Sequence, residues 1–194
     1  MCIRDRLAGP HGRLIHSPGP GTSPPEAREV RGLPTSRTGS GAEARGDDGR
    51  VSMIVKFFVA PDATAAGLAL ATGPGRAFES LSLGNFDPEE AVVEWECLLA
   101  GGSFEELVKT GEPRIVAGQD SDGCVVFALS PRLTTALADA GPTRLRDVAA
   151  SWARLRAEDG EAVETGIAEG IVGDVAALAG SARRQDQSVY CWVA

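Results

Sequence analysis

Residues 87–101 read DPEEAVVEWECLLAG, and this stretch decides the fold. Asp87 stands where a helix N-cap belongs, because its carboxylate can accept from the first unpaired backbone N–H groups. Pro88 follows at the first helical position, where a missing N–H is no loss. Glu90 falls three residues after the cap, the spacing of a capping box, and Glu89 and Glu90 together suit the positive end of the helix dipole. Ala91, Val92, Trp95, Leu98 and Leu99 recur at helical spacing and form one apolar stripe, which Gly101 and Gly102 end. Trp95 is the largest side chain on that stripe, so the core is expected to pack around it.

Outward from this helix, the apolar runs at 54–59, 124–129 and 188–193 read as buried strands, with a shorter strand at 115–117. Pro61 and Asp62 open a weak helix at 63–71 that the glycines of residues 73–75 end, and 76–83 reads as a short helical turn. Ser103 with Glu106 makes a second capping box, for a helix to Lys109. Ser130 and Pro131 start a helix to about residue 139, and Gly141-Pro142-Thr143 breaks and restarts it. Residues 119–123 form a polar turn. A helical pattern from 144 to 157 carries Leu145, Val148, Ala149, Trp152 and Leu155. A longer one at 161–184 carries Val163, Ile167, Ile171, Val175, Leu178 and Ala182. Gly166, Gly170 and Gly173 interrupt the longer one at about 1 kcal/mol each relative to alanine, which predicts a break near Gly166 or Gly173.

Composition divides the chain at Met53. Residues 1–52 hold eight Arg, six acids, nine Gly and six Pro with no apolar periodicity, which reads as a disordered leader. The opening MCIRDR resembles translated adapter sequence, and Met53 is the expected true start. The remaining 142 residues carry 11 basic and 21 acidic side chains, a net charge of −10. That charge argues against nucleic-acid binding, which depends on clustered Lys and Arg, and favours a basic protein partner. No apolar run is long enough to cross a bilayer, and the start has no secretory apolar core. Cys97, Cys124 and Cys191 lie far apart in apolar segments, the pattern of reduced, buried cysteines in a cytoplasmic protein.

Both histidines, His11 and His16, fall in the leader, so Ser-His-Asp and Cys-His catalysis and histidine-ligated metal are excluded from residues 53–194. The cysteines have no metal-ligand spacing, and the reading assigns no catalytic residue, metal or cofactor. Glu90 and Glu94, one helical turn apart with Glu96 nearby, read first as a solvated acidic face. The acids Glu158, Asp159, Glu161 and Glu164 read as a charge bias at a helix start. Gly73-Pro74-Gly75-Arg76 reads as a plain turn, and the three tryptophans as core.

Three stretches resemble the YfbM-like family of bacterial domains of unknown function. In LGNFDPEEAVVEWECLLAGGS an acid and a tryptophan, Asp87 and Trp95, precede a Leu-Leu-x-Gly ending at Leu98, Leu99 and Gly101. In CVVFALSPRLTTALADA a strand leads into a helix start at Leu129, Ser130 and Pro131. IAEGIVGDVAALAGSARRQDQSVYCWVA is similar to the family's closing helix and terminal strand. Together they cover most of 53–194. The resemblance implies an α+β fold and supplies no catalytic residues.

The expectation is therefore one α+β domain at 53–194, with helices packed on a small mixed sheet whose first and last strands are neighbours. Its expected function is a protein-interaction module, of immunity or stress-response type, rather than an enzyme. The alternative is a small-ligand binder or enzyme that uses Glu90 and Glu94 with Arg76.

Overall fold

The computed structural model describes residues 53–84, 86–118 and 123–194, so the leader and most of the expected polar turn at 119–123 lie outside the described residues. Residues 53–194 fold as one α+β domain. The chain order is β1 (Val55–Ala60), α1 (Ala63–Gly67), β2 (Ser80–Leu83), α2 (Pro88–Ala100), α3 (Phe104–Lys109) and β3 (Arg114–Gly118). It continues with β4 (Val125–Ala128), α4 (Pro131–Asp139), α5 (Pro142–Glu158), α6 (Thr165–Arg184) and β5 (Ser188–Val193).

The five strands form one sheet in the order β2-β1-β5-β4-β3. Every pairing is antiparallel, in place of the mixed sheet the sequence implies. β1 and β5 are neighbours, as expected, and β5 sits at the centre between β1 and β4. The strands read as continuous apolar runs because both faces of the sheet are covered. Val55, Phe57, Val59, Phe127, Cys191 and Val193 join the larger core with α2, α4, α5 and α6. Phe58, Val126, Tyr190 and Trp192 point the other way, into a smaller core closed by α1 and the turn after it.

Residues 76–83 are not helical over their second half. Ser80, Leu81, Ser82 and Leu83 alternate polar with apolar and pair with Phe58, Phe57, Lys56 and Val55 as an edge strand. Period two is the signal there, and it is short enough to be missed between two turns. The expected break in the last long helix is absent. α6 runs unbroken through Gly166, Gly170 and Gly173, because Ala168, Val172, Val175, Ala179 and Ala182 on its inner face are fully buried. A Cβ at any of the three glycines would meet nothing within 4 Å, so no close approach requires glycine there, and burial of the opposite face outweighs their low helix propensity. Ile167, expected on the buried stripe, is exposed.

α2 forms as its sequence dictates. The Asp87 carboxylate accepts from the N–H groups of Glu89 and Glu90 at 3.0 and 3.1 Å. Gly101 and Gly102 have φ of 79° and 105°, left-handed values that favour glycine. Arg144 Nη2 donates to the Leu98 carbonyl at 2.6 Å and Arg132 Nη2 to that of Ala100, so two cations from neighbouring helices satisfy the negative end of α2. Ala91, Val92 and Trp95 are buried, while Leu98 and Leu99 are half-buried near the end of the helix. The Trp95 ring lies 6.2 Å from Phe57 of the sheet, 6.2 Å from Phe86 and 5.1 Å, edge-on, from Trp152 of α5. The core is packed around Trp95, and the helix is anchored to both the sheet and α5.

Candidate functional site

α2 carries acids on both sides of its buried stripe, and the two sides differ. Glu94 and Glu96 flank Trp95 directly. Each side chain is turned about 100° from the indole, which places it at the border of the core. Both are buried, at 5% and 4% exposure, so the solvated acidic face read from the sequence is not what forms.

On the first side, Arg156 of α5 is 3% exposed and is surrounded by carboxylates. Its Nη1 donates to Glu90 Oε2 at 2.7 Å, and its Nη2 donates to Glu94 Oε1 at 2.7 Å and to Asp159 Oδ2 at 2.9 Å. Glu161 Oε2 lies 3.5 Å from Nη1. Trp152 Nε1 donates to the other Glu94 oxygen at 3.1 Å. Asp159 and Glu161, read from sequence as a charge bias at a helix start, instead neutralise this arginine. Burial pulls the guanidinium pKa down, but the hydrogen bond to Glu90 and the charges of Glu94, Glu90 and Asp159 outweigh it and hold it above the ordinary arginine value. Oxygens of Glu90, Glu94 and Asp159 lie within 4.8 Å of one another, a spacing a metal ion could use. The guanidinium already supplies positive charge there and ties α2 to α5.

The second side opens to a groove of about 510 Å³ between α2, α3 and the start of α4, lined by Glu96, Ser103, Glu106, Glu112, Ser130 and Arg132 among others. Ser130 is the N-cap of α4. Its Oγ accepts from Leu133 N at 2.9 Å and donates to Glu96 Oε2 at 2.6 Å. No hydrogen-bond donor among the described residues reaches Glu96 Oε1. The nearest cation is Arg132 Nη1 at 4.0 Å, beyond hydrogen-bonding distance, because Arg132 is held on the Ala100 carbonyl. Glu112 is half-buried in the same groove. Burial first, and then the charge of Glu96, push its carboxyl above the usual range; a backbone hydrogen bond and the charge of Arg114 oppose this and lose. The groove thus holds three carboxylates against one arginine, which pairs with Glu96 at 4.0 Å and also donates to the Ala100 carbonyl.

Of the residues singled out from sequence, Glu90 and Glu94 come together on Arg156. Arg76 is exposed in the turn after α1, and no hydrogen bond or ion pair joins it to either carboxylate among the described residues. Sequence reasoning missed Glu96 as a groove residue, together with Glu112, Ser130 and Arg132. The signals available were the flanking of Trp95 by two acids and a serine cap whose hydroxyl proton needs an acceptor. Cys191 is buried, and burial pushes its thiol well up; Cys97 and Cys124 are half-buried, not core as expected. No helix among the described residues is long and apolar enough to cross a membrane.

No protein-family model matches the chain, and neither a curated protein nor a solved structure does. None of these comparisons bears on the expected resemblance to YfbM-like domains.

Proposed function

We propose that this domain is a protein-interaction module that receives a basic partner in the groove between α2, α3 and α4. The observation that carries the reading is Glu96. It is 4% exposed and lines the groove, and one of its oxygens has no hydrogen-bond donor among the described residues. The charge of Glu96 is matched at the groove by Arg132 alone, at 4.0 Å, so a cation entering the groove adds a second counter-charge. Glu106 and Glu112 add negative charge at the same place. The net charge of −10 on residues 53–194 extends the attraction, since a field of one sign steers an oppositely charged partner and speeds encounter.

The test uses the full chain and three short peptides: tetra-arginine, tetra-lysine and tetra-glutamate. Saturable binding of the basic peptides, weakening as salt is added, is the expected result. Replacing Glu106 and Glu112 together by Gln should weaken that binding by about tenfold, the loss of charge-assisted hydrogen bonds. Binding that ignores both the salt and the double replacement would refute the reading.

A further inference from the structure

The end of α5 joins a requirement of the fold to a chemical weakness. Asp159 caps the helix with φ of −86° and ψ of 0°, and Gly160 follows with φ of 85°, a left-handed value that favours glycine. Gly160 N donates to the Ala157 carbonyl at 3.2 Å and Glu161 N to that of Arg156 at 2.8 Å, the paired bonds of a Schellman turn. The turn therefore calls for glycine directly after an aspartate. Asp-Gly is the dipeptide most open to isomerisation, because glycine has no side chain to shield its nitrogen from the neighbouring carboxyl.

We infer that Asp159–Gly160 is a site of isoaspartate formation that the native turn and Arg156 hold closed. In the reaction the Gly160 nitrogen attacks Asp159 Cγ. The new C–N bond closes a succinimide ring, the Cγ–O bond breaks, and the hydroxyl leaves with the amide proton as water. Water then opens the ring at the original main-chain carbonyl of Asp159, and the chain continues through the β-carboxyl with one extra methylene.

Three features oppose the attack. At ψ of 0° the Gly160 nitrogen lies in line with the Asp159 nitrogen, away from the Cβ that must enter the ring. Its hydrogen is committed to the Ala157 carbonyl. The carboxylate is turned to Arg156, whose Nη2 donates to Oδ2 at 2.9 Å. That guanidinium is 3% exposed and is itself fixed by Glu90 and Glu94, each at 2.7 Å, so Arg156 acts as a positioning residue for Asp159. Isomerisation would draw the carboxylate off Arg156 and lengthen the main chain inside the turn. An altered molecule would lose the turn and part of the tie between α2 and α5.

The experiment holds the full chain at neutral pH and body temperature for several weeks, once in native buffer and once unfolded in guanidinium chloride. Isoaspartate at residue 159 is measured by peptide mapping and by enzymatic methylation of isoaspartyl groups. The native chain should form it more slowly than the unfolded chain by about tenfold or more, because reaction waits on local opening. Equal rates would overturn the inference. Arg156→Lys keeps the charge and loses the fork, and it should speed native modification by about fivefold. Glu90→Gln, a milder loosening of the same guanidinium, should act in the same direction and carries the test if Arg156→Lys fails to fold. Asp87→Ala weakens α2 without touching the turn and is the reference for stability alone. A rise no larger than that of Asp87→Ala would overturn the role given to Arg156.

Discussion

The two sides of α2 begin from the same material and end differently. Glu94 and Glu96 are two residues apart, both nearly fully buried and both beside Trp95. Glu94 meets a cation supplied by the fold: Arg156 reaches it from α5, and Trp152 donates to its second oxygen. Glu96 accepts from a serine hydroxyl and pairs loosely, at 4.0 Å, with Arg132, which also donates to a backbone carbonyl. A buried carboxylate is tolerated when its charge is answered. The first side is answered internally and works as a clamp between helices. The second is answered in part, and its remainder faces a groove.

The strongest way to break this comparison is to remove the internal cation. Arg156→Ala leaves Glu94 buried and uncompensated, and it should lower stability by about 3–5 kcal/mol, measured by urea denaturation. A near-neutral result would mean that Glu94 is hydrated and that the two sides are alike. Glu94→Gln keeps an acceptor for Trp152 but weakens the pairing with Arg156; a loss of about 1–3 kcal/mol is expected from the same measurement. Asp87→Ala serves as a reference, since the cap supports the whole helix; the loss should be about 1 kcal/mol and should not depend on either cluster.

The smallest effect sharpens the second side. Glu112→Gln should change stability at neutral pH by no more than about 0.5 kcal/mol, as befits a half-buried group outside the core. Its signature is in the pH dependence. A carboxyl with a raised folded pKa binds more protons in the native state than in the unfolded one. Its contribution to stability therefore grows as pH falls from neutral through that raised pKa, and levels off below the unfolded value. Glu112→Gln should flatten this rise. A variant that follows the parent curve throughout mild acid would show that Glu112 does not feel Glu96.

Much of the architecture was legible because it depends on local signals. The cap at Asp87, the Ser103 and Ser130 starts, and the three long apolar strands all formed near their expected bounds. The β2 edge strand was not legible, because four alternating residues carry little signal until β1 offers a partner. Nor was the continuity of α6, since burial of its alanine face against the core decides it rather than the glycines. For the site, sequence spacing joined Glu90 to Glu94 but could not supply Arg156, 62 residues from Glu94 along the chain. Likewise Ser130 reaches Glu96 across 34 residues. Which acids are clamped and which face a groove depends on those long-range pairs, and helical periodicity alone contains no trace of them.

The central claim is that the Glu96 side binds and the Glu94 side holds the fold. The most direct test is to map backbone amide shifts of the isotope-labelled full chain while tetra-arginine is added. The account predicts that the changes gather on Glu96, Ser103, Glu106, Glu112, Ser130 and Arg132, with Glu90, Arg156 and Asp159 unmoved. Changes centred on Glu90, Arg156 and Asp159, or spread evenly over every acidic residue, would contradict it.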